Sequence, residues 1–356
     1  PLKLSLDTEI QYLIREELIK FQEIFNSYGS TAILMNINNG EILSMISLPD
    51  FDLNKREDIS DKKFINRSTK GVYELGSVFK TFTFAAGLQQ NVIQEDTLFK
   101  NLPKKIKCAG RSISEYDMDI PSSLTAEEIL IRSGNIGSIK IAQKVGLENF
   151  KDFLENLDLL NKIQFDIEEV GNPIPFKWGK CKLATSAYGH GITTTPLQLA
   201  KAYAIIANGG YKIKPTLIKK RKNLKRGEQI ITQENSNKIN EILRKIVTSE
   251  QGTANLANIA GYEIAGKTGT AQKSIKGKYS KKKINTFASI FPISSPKYVL
   301  IVLLDEPKLS ETYIYEYNDG KKRKIIGTPF NTAGWTSVEV AKNIIEKIGP
   351  ILAIKY

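Results

Sequence analysis

A serine and a lysine stand three residues apart at the start of a long, mostly apolar run. Ser77 is followed by Val78, Phe79 and Lys80, and the run continues to Leu88. On a helix, positions i and i+3 share a face, so the serine hydroxyl and the lysine amine can meet. A lysine in such a run is costly unless its charge is paired or its pKa falls. The pair therefore indicates a serine nucleophile beside an amine base.

The same Ser-x-x-Lys spacing recurs elsewhere in this lysine-rich chain, so spacing alone is weak evidence. The other pairs lie in polar or proline-containing stretches, where solvated side chains are expected. They are Ser60/Lys63, Ser280/Lys283 and Ser294/Lys297. Only the pair at Ser77 opens an apolar helix, and Gly76 before it permits a sharp backbone turn.

Two further motifs follow along the chain, and each occurs once. Ser133-Gly134-Asn135 falls at a predicted helix end, where a loop can face a cleft. Lys267-Thr268-Gly269-Thr270 lies in a predicted strand, where glycine marks a bulge or a close backbone approach. Taken singly, these motifs also fit a simple turn and a simple bulge. Their order after Ser77 is a strong signal of serine acyl transfer.

The roles of the three motifs are complementary. Ser77 supplies the nucleophile, and Lys80 can accept its proton if the amine is neutral. The reference pKa of lysine, about 10.4, must fall by a few units for that role. Burial and the charge of Lys267 both act in this direction. Ser133 can relay a proton to the leaving amine, and Asn135 can hold a substrate amide.

The Lys267 strand is predicted to bind substrate. Its lysine and the hydroxyls of Thr268 and Thr270 suit a terminal carboxylate. Gly269 would let an extended peptide add to the strand edge. Backbone N–H groups of Ser77 and Thr270 would form an oxyanion hole, in which one donor contributes roughly 10²–10³ in rate.

Together with other blocks of the sequence, these motifs resemble the transpeptidase domain of class B penicillin-binding proteins, most closely the division-specific (septal) kind. The likeness covers essentially the whole chain, and Gly266–Ala271 is among its most specific parts. Asp305-Glu306-Pro307 favours the septal over the elongation type. The remaining blocks are Leu4–Gln11, Gly40–Met45, Asn66-Arg67, Tyr188–Gly191 and Thr195–Ala200.

The resemblance implies a peptidoglycan D,D-transpeptidase that crosslinks stem peptides through an acyl-serine and is a target of β-lactams. It implies an N-terminal membrane anchor and a pedestal domain outside these residues. The catalytic domain would be periplasmic at the bacterial inner membrane, with a glycosyltransferase and other division proteins as partners. No cofactor and no metal are expected. The catalytic residues implied are Ser77, Lys80, Ser133, Asn135 and Lys267, with Thr268, Gly269 and Thr270 binding substrate.

Two positions depart from the pattern of this family. Leu75 stands where the family often has proline. Gly134 stands where it often has a polar residue, which leaves Ser133 and Asn135 intact but is expected to loosen their loop.

Composition supports a globular protein of one large or two ordinary domains. The 356 residues are 41% hydrophobic and 25% charged, with a net charge of +13. The basic runs lack interleaved aromatics and a nucleic-acid module, so we expect a solvated basic surface and no nucleic-acid partner. They are Lys219–Lys222, Lys281–Lys283 and Lys321–Lys324. Attraction to an anionic polymer or a lipid surface is the alternative that the charge leaves open.

Two cysteines, Cys108 and Cys181, allow at most one disulfide, and whether they pair is open. Because His190 is the only histidine in the sequence, a Ser-His-Asp triad is less favoured.

Strand patterns at both ends of the chain enclose a mainly helical middle. They predict an α/β (α+β) fold with an antiparallel sheet assembled from both termini. The resemblance implies that this fold is of the penicillin-binding/serine β-lactamase-like transpeptidase type. The sheet lobe is predicted at about 1–70 and 255–356, and the inserted helical lobe at about 71–254. Helix starts are predicted after Asp7 and at the capping boxes of Thr125 and Thr195. A strand is predicted over Leu2–Leu6, and a closing helix from about Trp335 to Ile348.

Two rival functions fit the same scaffold. A β-lactamase or D,D-carboxypeptidase needs a base that activates water, and Glu168-Glu169 near Asn172 is the nearest candidate. A non-catalytic β-lactam sensor, or a scaffold of a division complex, would keep all three motifs.

Overall fold

A computed structural model describes residues 1–52, 54–55, 60–108, 110–220, 226–275, 277–317 and 323–356. The helices are α1 (Thr8–Ile24), α2 (Lys80–Gln89), α3 (Ala126–Ile131), α4 (Asn135–Val145), α5 (Leu147–Asn156), α6 (Lys180–Ser186), α7 (Pro196–Ala207), α8 (Gln233–Thr248) and α9 (Ser337–Lys355). The strands are β1 (Gly29–Asn36), β2 (Ile42–Leu48), β3 (Leu98–Phe99), β4 (Lys105–Cys108), β5 (Arg111–Ser114), β6 (Leu124–Thr125), β7 (Ala265–Ile275), β8 (Lys278–Phe291), β9 (Tyr298–Asp305), β10 (Ile314–Glu316) and β11 (Lys324–Ile326).

Five strands form one antiparallel sheet in the order β2-β1-β9-β8-β7. The N-terminal strand β1 lies directly beside the C-terminal strand β9, with Gly29 opposite Asp305. The prediction of an antiparallel sheet built from both termini is therefore confirmed. Strand β7, which carries the Lys267 motif, is an edge strand with one side unpaired in this sheet.

Helices cover the sheet. All eight residues of β9 are buried, as expected for a central strand with a layer on each face. Helices α1 and α9 contact each other and the sheet, and α7 contacts β1, β8 and β9. The middle of the chain packs around α2, in which nine of ten residues are buried and which contacts α3, α4, α5 and α8.

Several helix starts follow the predicted signals. The Asp7 carboxylate accepts from the N–H groups of Glu9 and Ile10. Thr125 forms a capping box at α3, and Thr195 forms one at α7 with Pro196 at the first helical position. These local signals act within a few residues and therefore survive in the fold.

Other details differ from the predictions. The predicted strand over Leu2–Leu6 reduces to an isolated bridge between Leu4 and Ile218. The closing helix does not end at Ile348 but continues through Pro350, because its apolar face stays packed as far as Leu352. The sequence patterns did not predict the β4–β5 hairpin, helix α6 or the β10–β11 hairpin.

In the described parts of the chain, no helix combines the length and apolar character that crossing a membrane requires. Of the predicted basic runs, residues 221, 222, 321 and 322 lie outside the described residues.

Candidate active site

Ser77 lies in a single 3-10 turn, Gly76–Phe79, that leads directly into α2. The Ser77 side chain is half-buried and makes no hydrogen bond within the described part of the chain. Lys80, three residues on, is only 1% exposed. The half-buried Ser77 hydroxyl therefore lies just before the start of α2, and the buried Lys80 amine is the first polar side chain of that helix.

Two glycines from distant segments hold this turn in place. A Cβ added to Gly269 in β7 would lie 2.2 Å from the Leu75 carbonyl oxygen. A Cβ added to Gly189 would lie 2.0 Å from the Gly76 carbonyl oxygen. Backbone therefore packs on backbone on both sides of the Ser77 turn. The close approach predicted at Gly269 is made by the chain's own Leu75–Val78 segment.

The turn that carries Ser133 closes α3 with a Schellman motif. The N–H of Gly134 donates to the Ile129 carbonyl at 2.9 Å, and that of Ser133 donates to Leu130 at 3.2 Å. Ser133 takes the left-handed conformation usual for glycine at this position, with φ at 59°. A serine in this conformation stores some backbone strain, as residues at functional sites often do.

Ser133 joins the other two motifs. Its Oγ lies 3.1 Å from Lys80 Nζ and 2.9 Å from Lys267 Nζ. Lys80 Nζ also donates to the Ser133 carbonyl oxygen. One hydroxyl therefore bridges two buried amines, one from α2 and one from β7.

Burial dominates the electrostatics of this pair. It lowers the pKa of Lys80 to about 7, although the nearby charge of Glu115 acts in the opposite direction. Burial also lowers the pKa of Lys267 well below its ordinary value, and the charge of Lys80 adds to this effect. Two like charges around one hydroxyl are unfavourable, so a neutral amine is accessible near pH 7. Such an amine can accept a proton from a serine hydroxyl.

The threonines of β7 point to the other face of the strand from Lys267. The hydroxyls of Thr268 and Thr253 are 2.6 Å apart. Thr270 Oγ1 accepts from the Ala333 N–H at 2.9 Å, so its own proton remains available to donate. The Thr270 carbonyl oxygen would lie 2.8 Å from a Cβ on Gly76, so the backbones of β7 and the Ser77 turn adjoin.

Asn135 is the first residue of α4 and is held by the β4–β5 hairpin. Its Nδ2 donates to the Ser114 carbonyl at 2.8 Å. Its N–H donates to Glu115 Oε2 at 2.6 Å, and the Ile136 N–H donates to Oε1 of the same carboxylate at 2.8 Å. Glu115 is a site residue that the sequence reasoning missed, because no motif surrounds it.

Residues 30–331 match the family model of the penicillin binding protein transpeptidase domain. The chain belongs to this family. It is 32% identical to the probable peptidoglycan D,D-transpeptidase FtsI of Caulobacter vibrioides, over 100% of this chain and 59% of that protein. It is 30% identical to the peptidoglycan D,D-transpeptidase FtsI of Escherichia coli, over 88% of this chain and 53% of that protein. The chain thus spans little more than half the length of these relatives.

The fold agrees with that membership. The apo TP domain of penicillin-binding protein 3 from Burkholderia pseudomallei superposes with a TM-score of 0.83 at 25% identity, covering 99% of this chain and 96% of that one. The resemblance to a class B transpeptidase domain and the predicted fold class are both confirmed.

One rim of the transpeptidase site is aromatic. The His190 ring lies 4.8 Å from that of Tyr188 and 5.8 Å from that of Tyr279, measured between centroids. Tyr279 also donates to the Glu74 carboxylate at 3.0 Å, which ties the β7–β8 hairpin to the segment before Ser77. Burial, with a further contribution from the charge of Lys80, lowers the pKa of His190 to about 4. The His190 side chain is therefore neutral at pH 7 and forms part of one side of the site.

The carboxylates suggested for a hydrolase lie elsewhere. Glu168 and Glu169 are exposed, and Glu169 accepts from the Asn66 N–H at 3.4 Å. Glu168 lines a surface pocket of about 490 Å³ with Lys214, and no residue of the three motifs lines that pocket. Neither glutamate contacts Ser77 or Lys80 in the described chain.

A disulfide joins Cys108, at the end of β4, to Cys181 in α6, with 5.6 Å between their Cα atoms. The pairing that the sequence left open is therefore present. It ties the hairpin that holds Asn135 to the helix that precedes Gly189.

Proposed function

We propose that this chain is a serine-type peptidoglycan D,D-transpeptidase of septal cell-wall synthesis. Ser77 Oγ attacks the penultimate D-Ala carbonyl of a donor stem peptide, the amide C–N bond breaks, and terminal D-Ala leaves. An amine from a neighbouring stem peptide then replaces Ser77 at the carbonyl carbon and completes the crosslink. β-Lactams would acylate the same hydroxyl.

One observation carries this proposal: Ser133 Oγ is hydrogen-bonded by both Lys80 and Lys267. In the proposed mechanism, neutral Lys80 takes the proton of Ser77, and Ser133 passes a proton to the leaving amine. Because both lysines are buried, proton transfer among the three groups is sheltered from water.

Binding of the donor is assigned to β7 and to Asn135. The Thr268 and Thr270 hydroxyls would bind the terminal carboxylate, with Lys267 supplying positive charge nearby. The Asn135 side chain, already oriented by Ser114, would hold the donor's amide. Backbone N–H groups of Ser77 and Thr270 would stabilise the oxyanion. The unpaired side of β7 offers an edge along which an extended peptide can lie.

The whole protein's setting is part of the proposal. A periplasmic catalytic domain, a membrane anchor outside these residues, and glycosyltransferase and division partners follow from the likeness to FtsI proteins. The disulfide supports an extracytoplasmic location, because such bonds persist in oxidising compartments.

Mass spectrometry after incubation with benzylpenicillin tests the assignment. We expect one penicilloyl adduct per chain, absent in Ser77→Ala. Ser294→Ala, from a surface Ser-x-x-Lys pair, is the matched control and should be labelled like the wild type. Labelling that survives Ser77→Ala would refute the nucleophile.

Turnover separates the transpeptidase from its rivals. With a D-Ala-D-Ala peptide and an added D-amino acid as acceptor, a transpeptidase forms the exchanged product. Release of D-Ala without exchange, or rapid penicillin hydrolysis, would favour a hydrolase. Stoichiometric acylation without peptide turnover would favour a sensor.

A further inference from the structure

Helix α4 begins in the active site but lacks a cap of its own. Its N-cap residue is Gly134, which has no side chain to accept the first N–H groups. In contrast, α3, α7 and α8 begin at Thr125, Thr195 and Thr232, whose hydroxyls accept in the usual way.

The missing cap is supplied by Glu115, twenty residues earlier in the chain. Its two carboxylate oxygens accept from the N–H groups of Asn135 and Ile136, at 2.6 and 2.8 Å. The side chain is 7% exposed, so little water competes for these bonds. A carboxylate at this end of a helix also interacts favourably with the helix dipole.

The hairpin that carries Glu115 is itself fixed to the rest of the site. The Ser114 carbonyl accepts from Asn135 Nδ2, and Cys108 is bonded to Cys181 in α6. Both β5 and α6 contact α4. Two attachments therefore hold the Glu115 carboxylate near α4. One is the disulfide from β4 to α6, and the other is the hydrogen bond between Ser114 and Asn135.

We propose that Glu115 is a positioning residue for acylation of Ser77: it replaces the cap that Gly134 cannot provide and fixes the turn that presents Ser133 and Asn135. This inference rests on the proposed function. It explains how a glycine in the Ser-x-Asn motif is compatible with an ordered site. Glu115 acts through its neighbours and does not touch the reacting atoms.

The charge of Glu115 adds a second effect, on Lys80. The charged and titratable groups around Lys80 come from three other elements: Lys267 on β7, His190 after α6 and Glu115 after β5. Lys267 and His190 do not favour a protonated Lys80, whereas the negative charge of Glu115 does. Removing that charge should move the acidic limb of the acylation rate to lower pH.

Glu115→Gln tests the proposal, with the second-order rate of acylation by a reporter penicillin as the readout. A carboxamide has one acceptor oxygen in place of the two that Glu115 uses, puts an NH2 donor in the place of the other, and carries no charge. We expect the rate at pH 8 to fall by about 10- to 100-fold, from the loss of charge-assisted hydrogen bonds. The acidic limb should move to lower pH, and Glu115→Asp should restore the limb. Glu128→Gln, which keeps the α3 capping box, is the matched control and should behave like the wild type.

A second variant restores the cap locally. In Gly134→Ser/Glu115→Gln the new hydroxyl can cap α4, because Gly134 has φ −64°. An added Cβ would lie 3.2 Å from Ile120 Cδ1, a tight contact that requires a small shift of the end of the Ile120 side chain. We expect this double variant to recover part of the rate, and it remains informative if Glu115→Gln does not fold. An unchanged rate in Glu115→Gln, or a lower rate with an unmoved acidic limb, would overturn the proposal. A wild-type chain that is not acylated would instead contradict the proposed function.

Discussion

Two clusters of cations in this molecule, one fully buried and one partly buried, differ in the charges around them. In the active site, Lys80 and Lys267 share one serine hydroxyl, and no carboxylate lies within ion-pair distance of either amine in the described chain. At the end of the central strand β9, buried Arg67 lies 3.4 Å from Asp305, and the partly buried Lys273 bridges Asp305 and Glu306 at 2.7 and 2.8 Å.

The pKa values diverge accordingly. Burial lowers the pKa of Lys80 to about 7, because the opposing charge of Glu115 is too weak to offset it. Burial also acts to lower the pKa of Lys273, but its bonds to Asp305 and Glu306 outweigh this and leave the pKa raised. The difference teaches that two factors set the pKa of a lysine: Lys80 is fully buried with no paired carboxylate among the described residues, whereas Lys273 is only partly buried and has two.

The largest expected effect is the loss of acylation when the Lys80 amine is removed from the cluster that has no paired carboxylate in the part of the chain that the structure describes. Lys80→Met should lower the rate of penicillin acylation by about 10²–10⁴-fold, because the base is lost. Its unfolding free energy should not fall, because a methionine fills the site without burying an amine. Stopped-flow acylation and urea unfolding measure both quantities. The exposed Lys140→Met is the control, and a Lys80→Met variant that acylates normally would remove Lys80 from the mechanism.

The next largest effect is a loss of stability when a carboxylate is removed from the paired cluster. Asp305→Ala should lower the unfolding free energy by about 3–5 kcal/mol, because it leaves Arg67 buried without its partner. Acylation per folded molecule should change far less than in Lys80→Met. Asp50→Ala, which removes an exposed partner of Arg15, should cost no more than about 1 kcal/mol. An equal loss of unfolding free energy in Asp305→Ala and Asp50→Ala would show that the buried ion pair is no more important to stability than the exposed one.

A pH series sharpens the contrast. Because the pKa of Lys80 falls from 10.5 to about 7 on folding, the unfolded chain binds more protons between these values. Stability should therefore rise with pH across this window, by up to about 1.4 kcal/mol per pH unit from this one group. Acylation should rise with pH through about 7 as Lys80 becomes neutral. Subtracting the curve for Lys80→Met isolates the effect, and identical slopes in both proteins would refute it.

The smallest effect lies at the rim of the paired cluster. Lys282 Nζ is 2.7 Å from Glu306, but the Lys282 side chain is 55% exposed. Lys282→Ala should change the unfolding free energy by less than about 1 kcal/mol, and the change should shrink in high salt. Unfolding curves at two salt concentrations measure this. A large, salt-independent loss would show that exposure does not separate strong from weak pairs here.

Sequence reasoning predicted the parts of the site whose signals are local. Ser77 and Lys80 stand at helical spacing, and Ser133 and Lys267 belong to short motifs, so each was predicted as a site residue. Arg67 and Asp305 were noted only as separate blocks; they pair across 238 positions. Their contact depends on the register of β9, which no short pattern encodes.

Glu115 and the disulfide show the limit more clearly. Glu115 lies in a hairpin without a strong strand pattern, and its partners are 20 and 21 positions away. Its role follows from a deficiency elsewhere, the missing cap at Gly134, which becomes visible only once α4 begins at Asn135. Cys108 and Cys181 are separated by 73 positions, and only the packing of the hairpin beside α6 brings them together.

Main-chain atoms pack closely against the Ser77 turn at two glycines, Gly189 on one side and Gly269 on the other. Even a methyl group at either point would push against the Leu75 or Gly76 carbonyl and displace the nucleophile itself. Substitutions at these two positions are therefore expected to move Ser77 itself, and not only the surface around it.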